Sequence, residues 1–148
     1  MLDFALFKTI VGHTPLISID LIVYNDRSDV LLGKRVNPPA QNYYFVPGGR
    51  IYKDEKISGA FHRICHSELG QSVEYSSAKF RGVYEHFYSD AFVGKDISTH
   101  YVVLAFEICI DTELLNLPSA QHNEYSFMTV EHIRNHPGVH YYTKQYFS

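Results

Sequence analysis

Residues 49–71, GRIYKDEKISGAFHRICHSELGQ, place Gly49, Glu55, Arg63, Cys65, Glu68 and Gly70 at offsets that suit a turn followed by an amphipathic helix. A glycine before such a helix lets the backbone approach a ligand closely, and a carboxylate carried by the helix can hold Mg²⁺ over a diphosphate. Glu68 is the residue for that task, while Glu55 stands before the helix and reads as a brace of the loop. The same helix carries His62 and His66 at i, i+4 with Cys65 between them, a spacing that can bind Zn²⁺. No glutamate follows His62 as a zinc-protease helix requires, which counts against zinc. Elsewhere Asp20 lies alone in the apolar run LISIDLIVY, either a buried carboxylate satisfied by a backbone N–H or an arginine, or a functional group.

The elements that must position these residues can be read from periodicity. Phe4, Phe7, Ile10 and Val11 give a short amphipathic helix over residues 3–11, ended by Thr14-Pro15. LISIDLIVYN and VLLGKR, joined by Asn25-Asp26-Arg27-Ser28-Asp29, read as a β-hairpin. Tyr43 to Val46 makes a brief strand entering the turn Pro47-Gly48-Gly49. Ile57, Ala60, Phe61, Ile64 and Cys65 set a helix from Glu55 to Leu69, closed by Gly70. KFRGVYEHFYS, THYVVLAFEICI and EYSFMTV follow as strands, a short helix comes after Thr129, and the tail HYYTKQYF can form another. This order implies an α/β fold with helices on both faces of a curved sheet.

The chain has 148 residues, 45% of them hydrophobic and 20% charged, with a net charge of −3, which suits one globular domain. No basic run offers a footprint for nucleic acid or a membrane surface, and no apolar stretch approaches the roughly 20 residues that span a bilayer. MLDFALFKTI lacks the features of a signal peptide. The two cysteines, Cys65 and Cys109, fit a reducing compartment, so a cytoplasmic, soluble protein is expected. Twelve Tyr and ten Phe with no Trp can fill a core or stack on a planar ligand.

The 49–71 segment resembles the Nudix box, G-x5-E-x7-R-E-U-x-E-E-x-G-U with U apolar. It departs at Ile64 and Ser67, where the box has glutamates, and at Gln71, where it has an apolar residue. TPLISIDLIV, LLGKR, PAQNYYFVPGGR, YEHFY, THYVVL and QHNEY extend the likeness to one branch, the GDP-mannose mannosyl hydrolases. The resemblance implies a single Nudix domain over residues 1–148, with a mixed curved β-sheet sandwiched between helices and a strand–loop–helix–loop motif. It implies Mg²⁺-dependent hydrolysis of GDP-mannose, with GDP-glucose as a further substrate, to GDP and free sugar by water attack at the sugar C1 with inversion. By the same likeness His122 is the general base, Gly48, Glu68 and Gln121 hold one Mg²⁺ per subunit, and Arg35, Arg50 and Tyr101 contact the phosphates. Asp20 and His86 would stand near the sugar hydroxyls. Leu2 and Phe7 would pack on guanine from the other subunit of a homodimer. Two alternatives remain open: a Nudix enzyme attacking phosphorus of another nucleoside diphosphate derivative, and a domain that binds a nucleotide-sugar without turnover.

Overall fold

A computed structural model describes residues 2–115 and 122–148. In chain order the elements are α1 (Phe4–His13), β1 (Leu16–Tyr24), β2 (Val30–Arg35), β3 (Tyr44–Phe45), β4 (Gly48–Arg50), α2 (Ile57–Leu69), β5 (Lys79–Tyr88), β6 (Thr99–Cys109), β7 (His122–Met128), α3 (Val130–Asn135) and α4 (Tyr141–Lys144). The strands form one mixed sheet in which β1 runs parallel to β6 and every other pairing is antiparallel.

β-Branched and aromatic residues alternate along these strands, so each strand serves two faces. On one face Ile19, Leu21, Val23 and Phe106 pack with Phe61, Ile64, Cys65 and Leu69 of α2. On the other, Ile22, Leu32 and Ala105 pack with Ile133, Val139, Tyr146 and Phe147 from the C-terminal helices. The sheet is therefore sandwiched as the sequence order implies. α2 owes its place to the recurrence of Ala60, Phe61, Ile64, Cys65, Glu68 and Leu69 on one side, and it ends at Gly70, whose φ of 68° only glycine adopts at little cost.

Three expectations change. β1 and β2 do not form a regular hairpin: they meet only at Tyr24↔Val30 and then splay apart. The segment after the loop fills the fork, with β3 on β2 and β4 on β1 through Ser18↔Arg50, Ile19↔Gly49 and Asp20↔Gly48. Gly48 and Gly49 thus belong to a strand rather than a turn, because the unpaired edge of β1 must find partners for its backbone groups. The Leu21 N–H also donates to the Pro47 carbonyl at 2.8 Å. α2 begins at Ile57 rather than Glu55, since the Glu55 carboxylate is engaged in the loop before it.

Candidate active site

Three strands supply one wall. The parallel register of β1 with β6 puts Leu16, Ser18 and Asp20 on the same face as Tyr101 and Val103, and the β5–β6 register sets His86 directly across from Tyr101. This is the face that the C-terminal residues cover further along, and where that cover stops a cavity of about 380 Å³ opens. Asp20, Arg35, Arg50, His86, Tyr101 and Phe7 all line it, residues drawn from β1, β2, β4, β5, β6 and α1. Gly48 forms part of the same wall, but Leu2 does not and is 37% exposed.

Among the described residues neither a backbone N–H nor an arginine, the partners expected of a strand carboxylate, hydrogen-bonds to Asp20. The Tyr146 hydroxyl donates to its Oδ2 at 2.5 Å, from 126 residues away. Burial raises its pKa to about 6 against the lowering effects of that hydrogen bond and the Arg35 charge. His86 is buried and lies flat on Tyr142, ring centroids 4.3 Å apart, and its Nε2 makes no hydrogen bond among the described residues. Desolvation, with the nearby His140, lowers its pKa to about 4, so it is a neutral imidazole able to meet a hydroxyl.

The arginines are held in place. Arg35 Nε donates to the Pro39 carbonyl at 2.9 Å, and the Arg35 N–H to the Tyr43 carbonyl. The Arg50 guanidinium is clamped between the rings of Phe7 and Tyr52, at 4.7 and 4.9 Å from their centroids. Arg63 lies on Tyr52 at 3.8 Å, donates to both oxygens of Glu55 at 2.8 and 2.9 Å, and donates to the Arg50 carbonyl at 2.7 Å. Glu55 also accepts the Tyr52 N–H at 2.8 Å, which makes it the loop brace expected of it. Cation–π stacking fixes the plane of a guanidinium while leaving its N–H groups free for an anion.

Glu68 sits behind Gly48, buried, and accepts the Gly48 N–H; burial raises its pKa to about 7. Among the described residues it forms no ion pair. A carboxylate withdrawn from water without a cation is a group that a hard cation would stabilise, so Glu68 and the adjacent Gly48 fit a Mg²⁺ site. Gly48 is obligatory here: a Cβ would stand 2.5 Å from the Ile19 carbonyl and 2.6 Å from Asp20 Oδ1. Ile64, in place of a box glutamate, is buried and packs under Gly49. Gln121 lies outside the described residues. The backbone of His122 faces Arg35 across a β-bulge of β7 on β2, and its side chain is likewise outside them. The His62–Cys65–His66 set does not converge: Cys65 is buried in the core with its thiol pKa pushed up to about 12, and both histidines face outward.

Several cavity residues escaped the sequence reading. Tyr88 and Phe45 complete the wall beside His86, Asn37 and Pro39 close it from the loop after β2, and Phe92 stands at its edge. For Tyr88 the alternation of β5 was the available signal, since it shares a face with His86. Tyr146 had no local signal.

The NUDIX domain family matches residues 14–147. The low-salt glycan biosynthesis protein Agl8 of Haloferax volcanii is 36% identical over 136 residues, 92% of this chain and 85% of that protein. Among solved structures, the MutT protein of Methanosarcina mazei Go1 superposes with a TM-score of 0.74 at 19% identity, over 91% of this chain and 92% of the other. The NUDIX domain of Shewanella oneidensis NrtR, solved with ADP ribose, gives 0.67 at 16% identity, over 90% and 84%. At these identities the superpositions bear on the fold, whereas the family match covers most of the sequence; the chain belongs to the Nudix family and has the Nudix fold.

Proposed function

We propose that the protein is a Mg²⁺-dependent hydrolase of GDP-mannose, releasing GDP and mannose by attack of water at the sugar C1 with inversion. The observation that carries this reading is the division of labour in the cavity. Asp20 and His86, whose Nε2 has no hydrogen bond among the described residues, offer uncharged or weakly acidic hydrogen-bonding groups, while Arg35 and Arg50 line the same cavity as cations held by Pro39, Phe7 and Tyr52. A hexose at the first pair and a diphosphate at the second match these groups in hydrogen-bonding capacity and charge. Tyr101, across from His86 on β6, would donate to a phosphate oxygen.

α2 argues against attack at phosphorus. Ile64 and Ser67 leave Glu68 as the sole box carboxylate in the helix turn beside Gly48, with no second one to activate water. His122, on the strand edge facing Arg35, takes the role of base, and a histidine has an ordinary pKa near 6.5, suited to proton transfer at neutral pH. Glu68, the Gly48 carbonyl and Gln121 would hold one Mg²⁺. Bound there, the ion would supply charge neutralisation of the diphosphate, so that GDP could leave without a proton. The relative from Haloferax volcanii is named for glycan biosynthesis, which supports a sugar-bearing substrate. The whole chain acts as a single domain, and a homodimer in the cytoplasm is part of the same reading, with a light-scattering mass of two chains as its check. Phe7 already lines the cavity of its own chain, so the dimer is not needed to supply that ring.

Hydrolysis of GDP-mannose with Mg²⁺ in ¹⁸O-water, followed by mass spectrometry of both products, tests the reaction. Label in mannose with unlabelled GDP is expected. Label in GMP or mannose 1-phosphate means attack at phosphorus, and binding without turnover means a retired domain.

A further inference from the structure

The loop between β5 and β6 displays one aromatic ring on purpose-built backbone. Ala91 and Gly94 exchange both of their backbone hydrogen bonds, at 3.0 and 3.2 Å, so Phe92 and Val93 are the central residues of a closed tight turn. The Thr99 hydroxyl ties the base of the loop to the Asp90 carbonyl at 2.7 Å. Ala91 and Val93 are 2% and 6% exposed and pack with Val11, Leu16 and α1, whereas Phe92 between them is 59% exposed. With both neighbours seated, the backbone holds the Phe92 ring outward, where it forms part of the cavity wall. A single exposed ring is ordinary on a protein surface; what sets Phe92 apart is that its ring stands in the wall of the cavity, open to whatever enters there.

The other rings of this cavity are already occupied. Arg50 stands over Phe7, His140 is stacked on Phe45 at 4.6 Å, and Tyr88 packs edge-on against Tyr101 and Tyr142. Among the described residues no ring and no guanidinium stands over Phe92. The cavity also has a gradient, from His86, 4% exposed, to Phe92 at the rim. A molecule with its hexose at Asp20 and its diphosphate at the arginines has its nucleobase at that rim. Resting on the reading of the site given under Proposed function, we infer that Phe92 is the platform on which the purine base stacks. Phe7 of the same chain is already covered by the Arg50 guanidinium. Stacking engages the π face of the base and not its hydrogen-bonding edge, so Phe92 supplies affinity for the base and leaves discrimination among purines to other groups.

The test compares ligands with and without a base, by calorimetry on the full chain with Mg²⁺. Phe92→Ala should weaken GDP about 5- to 140-fold, the range for a base stacked on an aromatic ring, and leave inorganic pyrophosphate unchanged. Phe92→Trp should restore GDP affinity, and because the chain has no other Trp its fluorescence should be quenched by GDP and not by pyrophosphate. Unchanged GDP affinity in Phe92→Ala, or equal weakening of GDP and pyrophosphate, overturns the platform while leaving the nucleotide-sugar reading intact. A wild-type protein that binds pyrophosphate and no nucleoside diphosphate overturns both. The exposed position of Phe92 makes folding of these variants straightforward, and an unshifted thermal midpoint verifies it.

Discussion

In the proposed reaction Glu68 holds charge and His122 moves a proton, so their variants should separate cleanly. Glu68 has no cation partner among the described residues and is kept from the ordinary carboxylate range by burial. Glu68→Gln preserves its size and its capacity to accept from Gly48 while removing the charge. Activity should fall by at least tenfold with a corresponding loss of Mg²⁺ affinity, read from a Mg²⁺ titration of rate; unaltered Mg²⁺ affinity would remove Glu68 from the ligand set. His122→Gln should instead lower kcat about 10²–10⁴-fold, the usual contribution of a general base, with Mg²⁺ affinity kept. A wild-type kcat in that variant would assign the base elsewhere. Tyr146→Phe tests the group behind Asp20. The ring keeps its packing in the core, but Asp20 loses its one hydroxyl donor. KM for GDP-mannose should rise several-fold and that of pyrophosphate binding should not move, because the variant disturbs the sugar end alone.

At the scale of elements, the site depends on how the loop from β4 to α2 is fastened. Arg63 joins Glu55, Tyr52 and the Arg50 carbonyl, so one guanidinium fixes both the loop and the strand that carries Arg50. Arg63→Lys keeps the charge and loses the planar fork. Stability should drop by only about 1 kcal/mol or less, since the pair with Glu55 is partly open to solvent at 33% and 23% exposure. KM should rise by a larger factor than stability implies, which steady-state kinetics beside thermal melts would show; a KM unchanged within error would mean that Arg50 is held by Phe7 and Tyr52 alone. α2 and its Glu55 brace were legible in the sequence because both rest on local spacing, the 3.6-residue recurrence of Ala60, Phe61, Ile64 and Leu69 and the fixed offset from Glu55 to Arg63. The face shared by Asp20, Tyr101 and His86 follows from strand alternation once the register is known. The register itself was not legible. The β1–β2 segment carries the turn residues of a hairpin, yet β4 takes the place on β1 that β2 would have filled, a competition between distant backbone edges that no local pattern encodes. The same holds for Tyr146, whose hydroxyl reaches Asp20 only because the C-terminal helices close over the sheet.

The whole molecule feels the site through its buried titratable groups, and the signs oppose one another. Asp20 and Glu68 have folded pKa values of about 6 and about 7, above the ordinary values of 3.8 and 4.5. The folded chain therefore binds protons more tightly than the unfolded one at these positions. Their favourable contribution is complete below the ordinary values and is lost as pH rises through 6 to 7. His86, with a folded pKa of about 4 against 6.5, contributes stability that is complete above 6.5 and lost as pH falls toward 4. The two effects overlap between pH 4.5 and 6.5, where the single His86 offsets only part of the loss from the two carboxylates; above 6.5 only the carboxylates still titrate. The thermal midpoint of the metal-free protein should accordingly fall by several degrees between pH 6 and pH 8, a loss on the order of 1–3 kcal/mol from Glu68 and Asp20 together. Glu68→Gln should flatten that fall, since the variant has no charge to bury. Mg²⁺ should flatten it in the wild type and leave the variant unchanged, because a cation that binds only the folded chain stabilises it most where Glu68 is ionised. Scanning calorimetry at pH 6, 7 and 8, with and without Mg²⁺, reads all of these at once. A wild-type midpoint that falls with pH and does not recover with Mg²⁺ would place the ion away from Glu68, whereas a midpoint that does not fall would mean that water reaches the carboxylate behind Gly48.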